Sequence, residues 1–223
     1  MHYLGLAISG EGPTDHRFLG PVLRRATESL CLAQARSPID IGPVLEFPDF
    51  SHGREPGAYL DRIVSTARDA VGAFSLIFVH RDGANDPDGI RAMAIAPIVA
   101  RLVRDAGITQ ERIVAVVPVR ETEAWALADG DALRKVFGTR LSDTELGLAH
   151  HGRDIEGIND PKHALEDAYR KVIGTRRPLR PGVAAYFEAL GEAVSIRALQ
   201  RLDAFRRMER DLRTALTNLG VFR

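Results

Sequence analysis

Three apolar, strand-like runs in this chain stop on acidic side chains. Residues 3–9 lead into Gly10-Glu11-Gly12-Pro13-Thr14-Asp15, and residues 75–79 lead into His80-Arg81-Asp82-Gly83-Ala84-Asn85-Asp86. Residues 113–119 lead into Arg120-Glu121-Thr122-Glu123. In a parallel α/β sheet the residues at the carboxyl ends of the strands line the crevice where ligands bind. Glu11, Asp82 and Glu121 or Glu123, with Asp15, Asp86 and Asp88 close behind, are hard oxygen donors of the kind that Mg²⁺ and Mn²⁺ take. Two such ions about 4 Å apart can activate a water and stabilise the leaving oxygen in phosphodiester cleavage. Carboxylates that converge also repel one another near neutral pH unless a cation joins them.

Each of these residues has a plainer reading. Glu11 beside a helix opened by Pro13 complements the positive end of that helix. Asp82-Gly83 is also a turn pair. Asp86 suits a loop or cap, Asp129 before Gly130 suits a helix end, and His150-His151 suits an exposed loop. Glu121 and Glu123 cannot both serve from a helix, because residues two apart point in nearly opposite directions. If the chain is extended there, both face one side, so Glu121 stays in reserve with Asp86 and Asp129. Gly10 and Gly12 make no phosphate loop, since no Gly-Lys-[Ser/Thr] follows.

The elements that must position these residues alternate. Helices are expected over residues 14–35, with Phe18, Leu19, Val22, Leu23 and Leu30 as the apolar stripe, and over 56–71. A further helix is expected over 90–106, with a kink or a junction at Pro97. A short second strand is expected over 43–50. Strand–helix alternation with short connections predicts a parallel sheet with right-handed crossovers. Residues 139–160 read as polar loop. Asp160 caps a helix over 161–173, and 196–219 reads as one long amphipathic helix. The expected organisation is an α/β domain over 1–138 and a mostly helical extension over 139–223, packed on the same domain.

Composition sets the frame. The chain has 223 residues, 45% hydrophobic and 27% charged, an ordinary globular balance. A single cysteine, Cys31, rules out an internal disulfide framework and fits a reducing cytoplasm. No basic-then-apolar leader opens the chain, and no apolar run approaches the roughly 20 residues needed to span a bilayer. The net charge of zero is uneven: residues 161–223 carry 13 Lys+Arg against 7 Asp+Glu, leaving 17 against 23 before them. An acidic front with a basic tail suits a metal site joined to a polyanion surface. Arg176, Arg177 and Arg180 suit contacts to a phosphate backbone and equally a solvated turn. The length of the terminal helix leaves room for a second copy or a protein partner.

Glu11-Gly12-Pro13-Thr14-Asp15, an acidic residue after the third strand, and Glu123-Ala124-Trp125-Ala126-Leu127-Ala128-Asp129 together resemble the Toprim fold. The likeness is to a bacterial group of small Toprim-like proteins, related to the overcoming-lysogenization-defect nucleases and often encoded beside AAA-type or SMC-like ATPases. It covers about residues 1–170. The resemblance implies a Rossmann-like three-layer sandwich and a Mg²⁺- or Mn²⁺-dependent nuclease acting on DNA or RNA. It also implies an ATPase-gated defence role. It places Glu11 as ligand or general base, Asp15 as the second acid, Asp82 in the Asp-x-Asp pair, Glu123 after the fourth strand, and Lys162 toward the phosphate. His80 stands where the pair has its first aspartate. Imidazole binds Mn²⁺ and can donate a proton near neutral pH, but it does not replace a carboxylate for Mg²⁺. The expected metal set is thus Glu11, Asp15, His80, Asp82 and Glu123. The alternative is a non-catalytic Toprim-like module that regulates a partner ATPase.

Overall fold

The computed structural model describes residues 2–47, 57–148, 155–174 and 182–222. Four strands form one all-parallel sheet in the order β2-β1-β3-β4: β1 (His2–Ser9), β2 (Ile39–Glu46), β3 (Leu76–His80) and β4 (Ile113–Val116). Strand β1 lies between β2 and β3, with Ser9 level with Val79, and His80 is level with Val116. From β1 the chain steps outward to β2, returns across β1 to β3, and continues to β4. The connections therefore diverge between β1 and β3. That divergence is the switch point at which open parallel sheets form a crevice beyond their carboxyl ends.

Period-2 alternation sorts the strand residues between two cores. Leu4, Leu6 and Ile8 of β1, Leu76 and Phe78 of β3, and Val114 and Val116 of β4 pack into one cluster. Ala7, Ile77 and Val79 face the other. The larger cluster takes its helical side from α1 (Pro13–Gln34), α5 (Glu123–Ala126), α6 (Gly130–Phe137), α8 (Pro161–Ile173), α9 (Phe187–Ala193) and α11 (Asp203–Asn218). The smaller is covered by α2 (Ala58–Asp69) and α4 (Ala96–Ala106) through Ile63, Ala67, Ile98 and Leu102. The result is a three-layer α/β sandwich, as the alternation of strands and helices predicts. Trp125 meets Phe205 edge to face at 5.2 Å between ring centres, which joins α5 to α11. Helix α9 crosses α1 at Gly191, where a Cβ would stand 2.4 Å from the Phe18 carbonyl oxygen. Cys31 lies buried near the end of α1, and burial pushes its thiol up to about 11. Among the described residues no helix is long and apolar enough to cross a membrane.

Several elements depart from the sequence reading. Strand β2 begins at Ile39 rather than residue 43 and runs through Gly42-Pro43. The register slips there, from Leu4 opposite Ile41 to Leu6 opposite Val44, so an edge-strand bulge absorbs the proline's missing N–H. The helix expected over 90–106 starts at α3 (Pro87–Ile90) and passes through a widened π turn, Arg91–Ile95, before α4. That wider turn relieves the clash and the lost donor of Pro97. Within 139–160, expected as loop, the structure has α7 (Asp143–Leu146), capped by Ser142 with Glu145 reaching back to the Ser142 N–H at 2.7 Å.

The long terminal helix is broken. Helix α10 (Ile196–Leu199) stops, and α11 starts only at Asp203. The carboxylate of Glu156, 47 residues earlier, accepts from the Asp203 and Ala204 N–H groups at 2.8 and 2.9 Å. It supplies from afar the cap that Leu202 cannot give. Glu156→Ala should lower the stability by about 1–2 kcal/mol, read as a lower urea midpoint. An unchanged midpoint would mean that water replaces this cap at no cost.

Candidate functional site

Each acidic residue reaches the crevice on a defined piece of backbone. After β1, Pro13 starts α1, and Asp15 in its first turn accepts the Gly12 N–H on Oδ2 at 3.0 Å. After β3 and β4 the two loops are tied together. Gly83 N–H donates to the Pro118 carbonyl at 2.9 Å, and Ala84 and Arg120 exchange backbone hydrogen bonds of 3.1 and 2.9 Å. Both of these residues are in the left-handed region, at φ 45° and 62°. A non-glycine residue there costs on the order of 1 kcal/mol, so strain is held in the link that sets Asp82 against Glu121 and Glu123.

His80 is fully buried beneath this group. Its Nδ1 lies 3.0 Å from the Val116 carbonyl, which can only accept, so the proton assigned to Nδ1 points there. Its Nε2 lies 3.3 Å from the Thr122 hydroxyl, 3.6 Å from Asp82 and 3.8 Å from Asp15. Thr122 donates to Asp15 Oδ1 at 3.2 Å. The imidazole thus sits under the carboxylates with both nitrogens facing protein groups.

The electrostatics mark the same place. Asp82 is pushed up to about 8, first by burial and then by the charges of Asp15, Glu11, Glu123 and Glu121. Glu123 is pushed up to about 7, again chiefly by burial; its own backbone N–H and Lys162 oppose the rise, while Glu121 and Asp15 add to it. Asp82 Oδ1 and Glu121 Oε2 are buried with no hydrogen-bond partner among the described residues. Both Glu121 and Glu123 therefore stand within electrostatic reach of Asp82, with Glu121 just ahead of α5 and Glu123 its first residue. Lys162, exposed in the first turn of α8, adds its charge beside Glu123.

The crevice thus gathers Glu11, Asp15, His80, Asp82, Glu121, Glu123 and Lys162. Among the described residues, no three His, Cys, Asp or Glu side chains are drawn tightly enough to clasp one ion as they stand. Asp15 is bonded to Gly12 and Thr122, and Glu11 leans toward Arg81 at 3.6 Å. Two reserve residues do other work. Asp86 caps α3 by accepting the Gly89 N–H at 2.9 Å. Asp129 caps α6 through Asp131 and Ala132, and it holds the Ser195 N–H at 2.9 Å. Burial would raise the Asp129 carboxyl, but these N–H donors outweigh it and hold it below its usual value. Asp88 pairs with Arg207 at the surface. Arg176, Arg177 and Arg180, and His150-His151, lie outside the described residues.

Thr122, Arg81, Tyr59 and Ser9 are the residues that sequence reasoning missed. Thr122 sits between two glutamates, Glu121 and Glu123. Arg81 follows a residue of the opposite sheet face, and its neighbour Tyr59 comes from α2, more than 20 residues earlier in the chain.

No curated protein and no solved structure matches the chain. One family model covers residues 10–213, from the first acidic turn through most of α11. By that match the chain belongs to the family described as Domain of unknown function (DUF4276).

Proposed function

We propose that this protein is a divalent-metal-dependent, Toprim-like nuclease that hydrolyses phosphodiester bonds in DNA or RNA. The observation that carries this reading is Asp82. Its carboxyl is driven to about 8 by burial and by four other carboxylates at one sheet edge. An acidic cluster of this kind, which Arg81 and Lys162 offset only in part, is costly without a further cation. The donors are hard oxygens, and two of them, Asp82 Oδ1 and Glu121 Oε2, lack hydrogen-bond partners among the described residues, which fits Mg²⁺ or Mn²⁺. Glu11, Asp82 and Glu123 would hold the ion, with Asp15 and Glu121 beside them. The chemistry such an ion supplies is water activation and neutralisation of charge on phosphate oxygens.

The chain's own residues complete the reading. Thr122 fixes one oxygen of Asp15 while the Gly12 N–H fixes the other. Without metal, Glu123 and Asp82 each hold a proton up to neutral pH or above, and an arriving cation would displace those protons. Lys162 brings a cation toward the phosphate beside Glu123. A role as effector of an ATPase-gated defence system belongs to the same reading. Plasmid, single-stranded DNA and tRNA incubated with Mg²⁺ or Mn²⁺ test it. Wild type should cut at least one, and Glu11→Gln/Asp82→Asn should not. Equal behaviour of the two proteins on every substrate would sink the nuclease reading.

One observation favours a second reading. His80, which by the Toprim resemblance stands where a carboxylate is expected, is buried with both nitrogens facing protein groups, as suits a non-catalytic module that regulates an ATPase. Calorimetry with Mn²⁺ separates the two: absence of binding, with a stable ATPase complex, favours the module.

A further inference from the structure

Arg81 is a buried cation set among the carboxylates, and its bonding is unusual for a guanidinium in such a place. Only 12% of its side chain is exposed. Its carbon Cζ stands 4.4 Å over the centre of the Tyr59 ring, on α2. One nitrogen donates to the His80 carbonyl at 2.8 Å. Glu11 is 3.6 Å from Nε, beyond hydrogen-bond length. A guanidinium that served only to neutralise the acids would take one of them in a two-pronged bond of about 2.8 Å. This one does not: its hydrogen bond among the described residues goes to the His80 carbonyl, and its ion pair with Glu11 stays at 3.6 Å.

The fork is also held in place. The aromatic face fixes the plane of the guanidinium, and the bond to His80 fixes its distance from the end of β3. A second donor lies at the same end of the sheet. Ser9, 1% exposed, has a hydroxyl without a hydrogen-bond partner among the described residues. Ser9 is level with Val79, two residues before Arg81, on the sheet face that α2 covers. The acids Asp15 and Glu123 and their partners Thr122 and His80 belong to the opposite side, with α1 and α5.

We infer that Arg81, braced on Tyr59, is an anion-binding residue that grips a phosphate group of the substrate, with the Ser9 hydroxyl as a second donor. This rests on the phosphodiester reading for its substrate class, and it adds the residue that holds the phosphate on the α2 side of the crevice. Arginine suits the task because its planar fork matches two phosphate oxygens at once, which lysine does not.

The test titrates inorganic phosphate and, separately, a short fluorescein-labelled single-stranded DNA in the presence of Ca²⁺. Wild type, Arg81→Met and Arg81→Lys are compared, and Mn²⁺ affinity is measured in parallel. Arg81→Met should weaken phosphate binding about tenfold or more, while Mn²⁺ binds as well as to wild type or better, because a positive charge has left the site. Arg81→Lys keeps the charge, so the fold is less disturbed, yet it should still lose several-fold in phosphate affinity. Phosphate affinity within about twofold of wild type in both variants, or no phosphate binding by wild type, overturns the inference. So does a parallel loss of Mn²⁺ and phosphate binding, which would mark a structural role. Failure of the nuclease reading looks different: no metal-dependent cleavage by wild type, with Arg81-dependent phosphate binding intact.

Discussion

Without divalent metal, the protein should be less stable at about pH 8 than at about pH 5, and Asp82→Asn should remove most of that difference. An acid whose folded pKa is raised keeps its proton in the native state after the unfolded chain has lost it. The native state then binds more protons than the unfolded state, and stability falls as pH rises. For Asp82 the window runs from the ordinary 3.8 to about 8, and for Glu123 from 4.5 to about 7. Taken whole, the Asp82 shift would amount to several kcal/mol. Its side chain is 34% exposed, and water screens it, so about 2 kcal/mol at pH 8 is the expected gain for Asp82→Asn. Mn²⁺ should reverse the slope, because metal binds the ionised carboxylates and releases their protons. Urea unfolding across this pH range, with and without Mn²⁺, reads both effects. A flat profile for wild type, or an Asp82→Asn variant less stable at pH 8, would show that the acids are not packed as described.

Gly83→Ala should destabilise the protein by about 3 kcal/mol, at the upper end of overpacking effects. A Cβ at this position would stand 2.2 Å from the Pro118 carbonyl oxygen and 3.1 Å from the Pro87 side chain. The nearer obstacle is backbone, already hydrogen-bonded to the Gly83 N–H, so it cannot swing aside. The loops after β3 and β4 would have to part, and with them Asp82 from Glu121 and Glu123. The variant should therefore also lose part of the pH dependence described above. Gly182→Ala is the control: among the described residues nothing lies within 4 Å of its Cβ position, and its φ of −63° suits any residue. It should stay within about 0.5 kcal/mol of wild type. If the two variants melt alike, the close approach of the loops is wrong.

What the sequence made legible was local. Strand ends on Glu11, Asp82 and Glu123 could be read because an apolar run followed by an acid needs no knowledge of the rest of the chain. Asp160 and Pro13 announced their helices for the same reason. What stayed hidden was made by partners far apart in sequence. The break before α11 depends on Glu156, and the widened turn before Pro97 breaks the regular 3.6 period. Strand β2 was misplaced because Gly42-Pro43 reads as a stop, whereas an edge strand can absorb it in a bulge. At the site, Thr122 and Arg81 gain their meaning only once α1 and α2 are laid against the sheet. Asp129 before Gly130 reads as a helix end and caps α6 as expected, but its second bond, to the Ser195 N–H that ties α6 to α10, has no local signal.

The single cysteine has a practical consequence. With its thiol buried and pushed up to about 11, Cys31 carries almost no thiolate near neutral pH and should react slowly with alkylating probes. The native chain is then already a quiet background for site-directed labelling. In a Lys162→Cys variant the new thiol, exposed at the head of α8, would take a maleimide fluorophore far faster than Cys31. A dye there would report arrivals at the mouth of the crevice in real time, with no need to engineer the natural cysteine away.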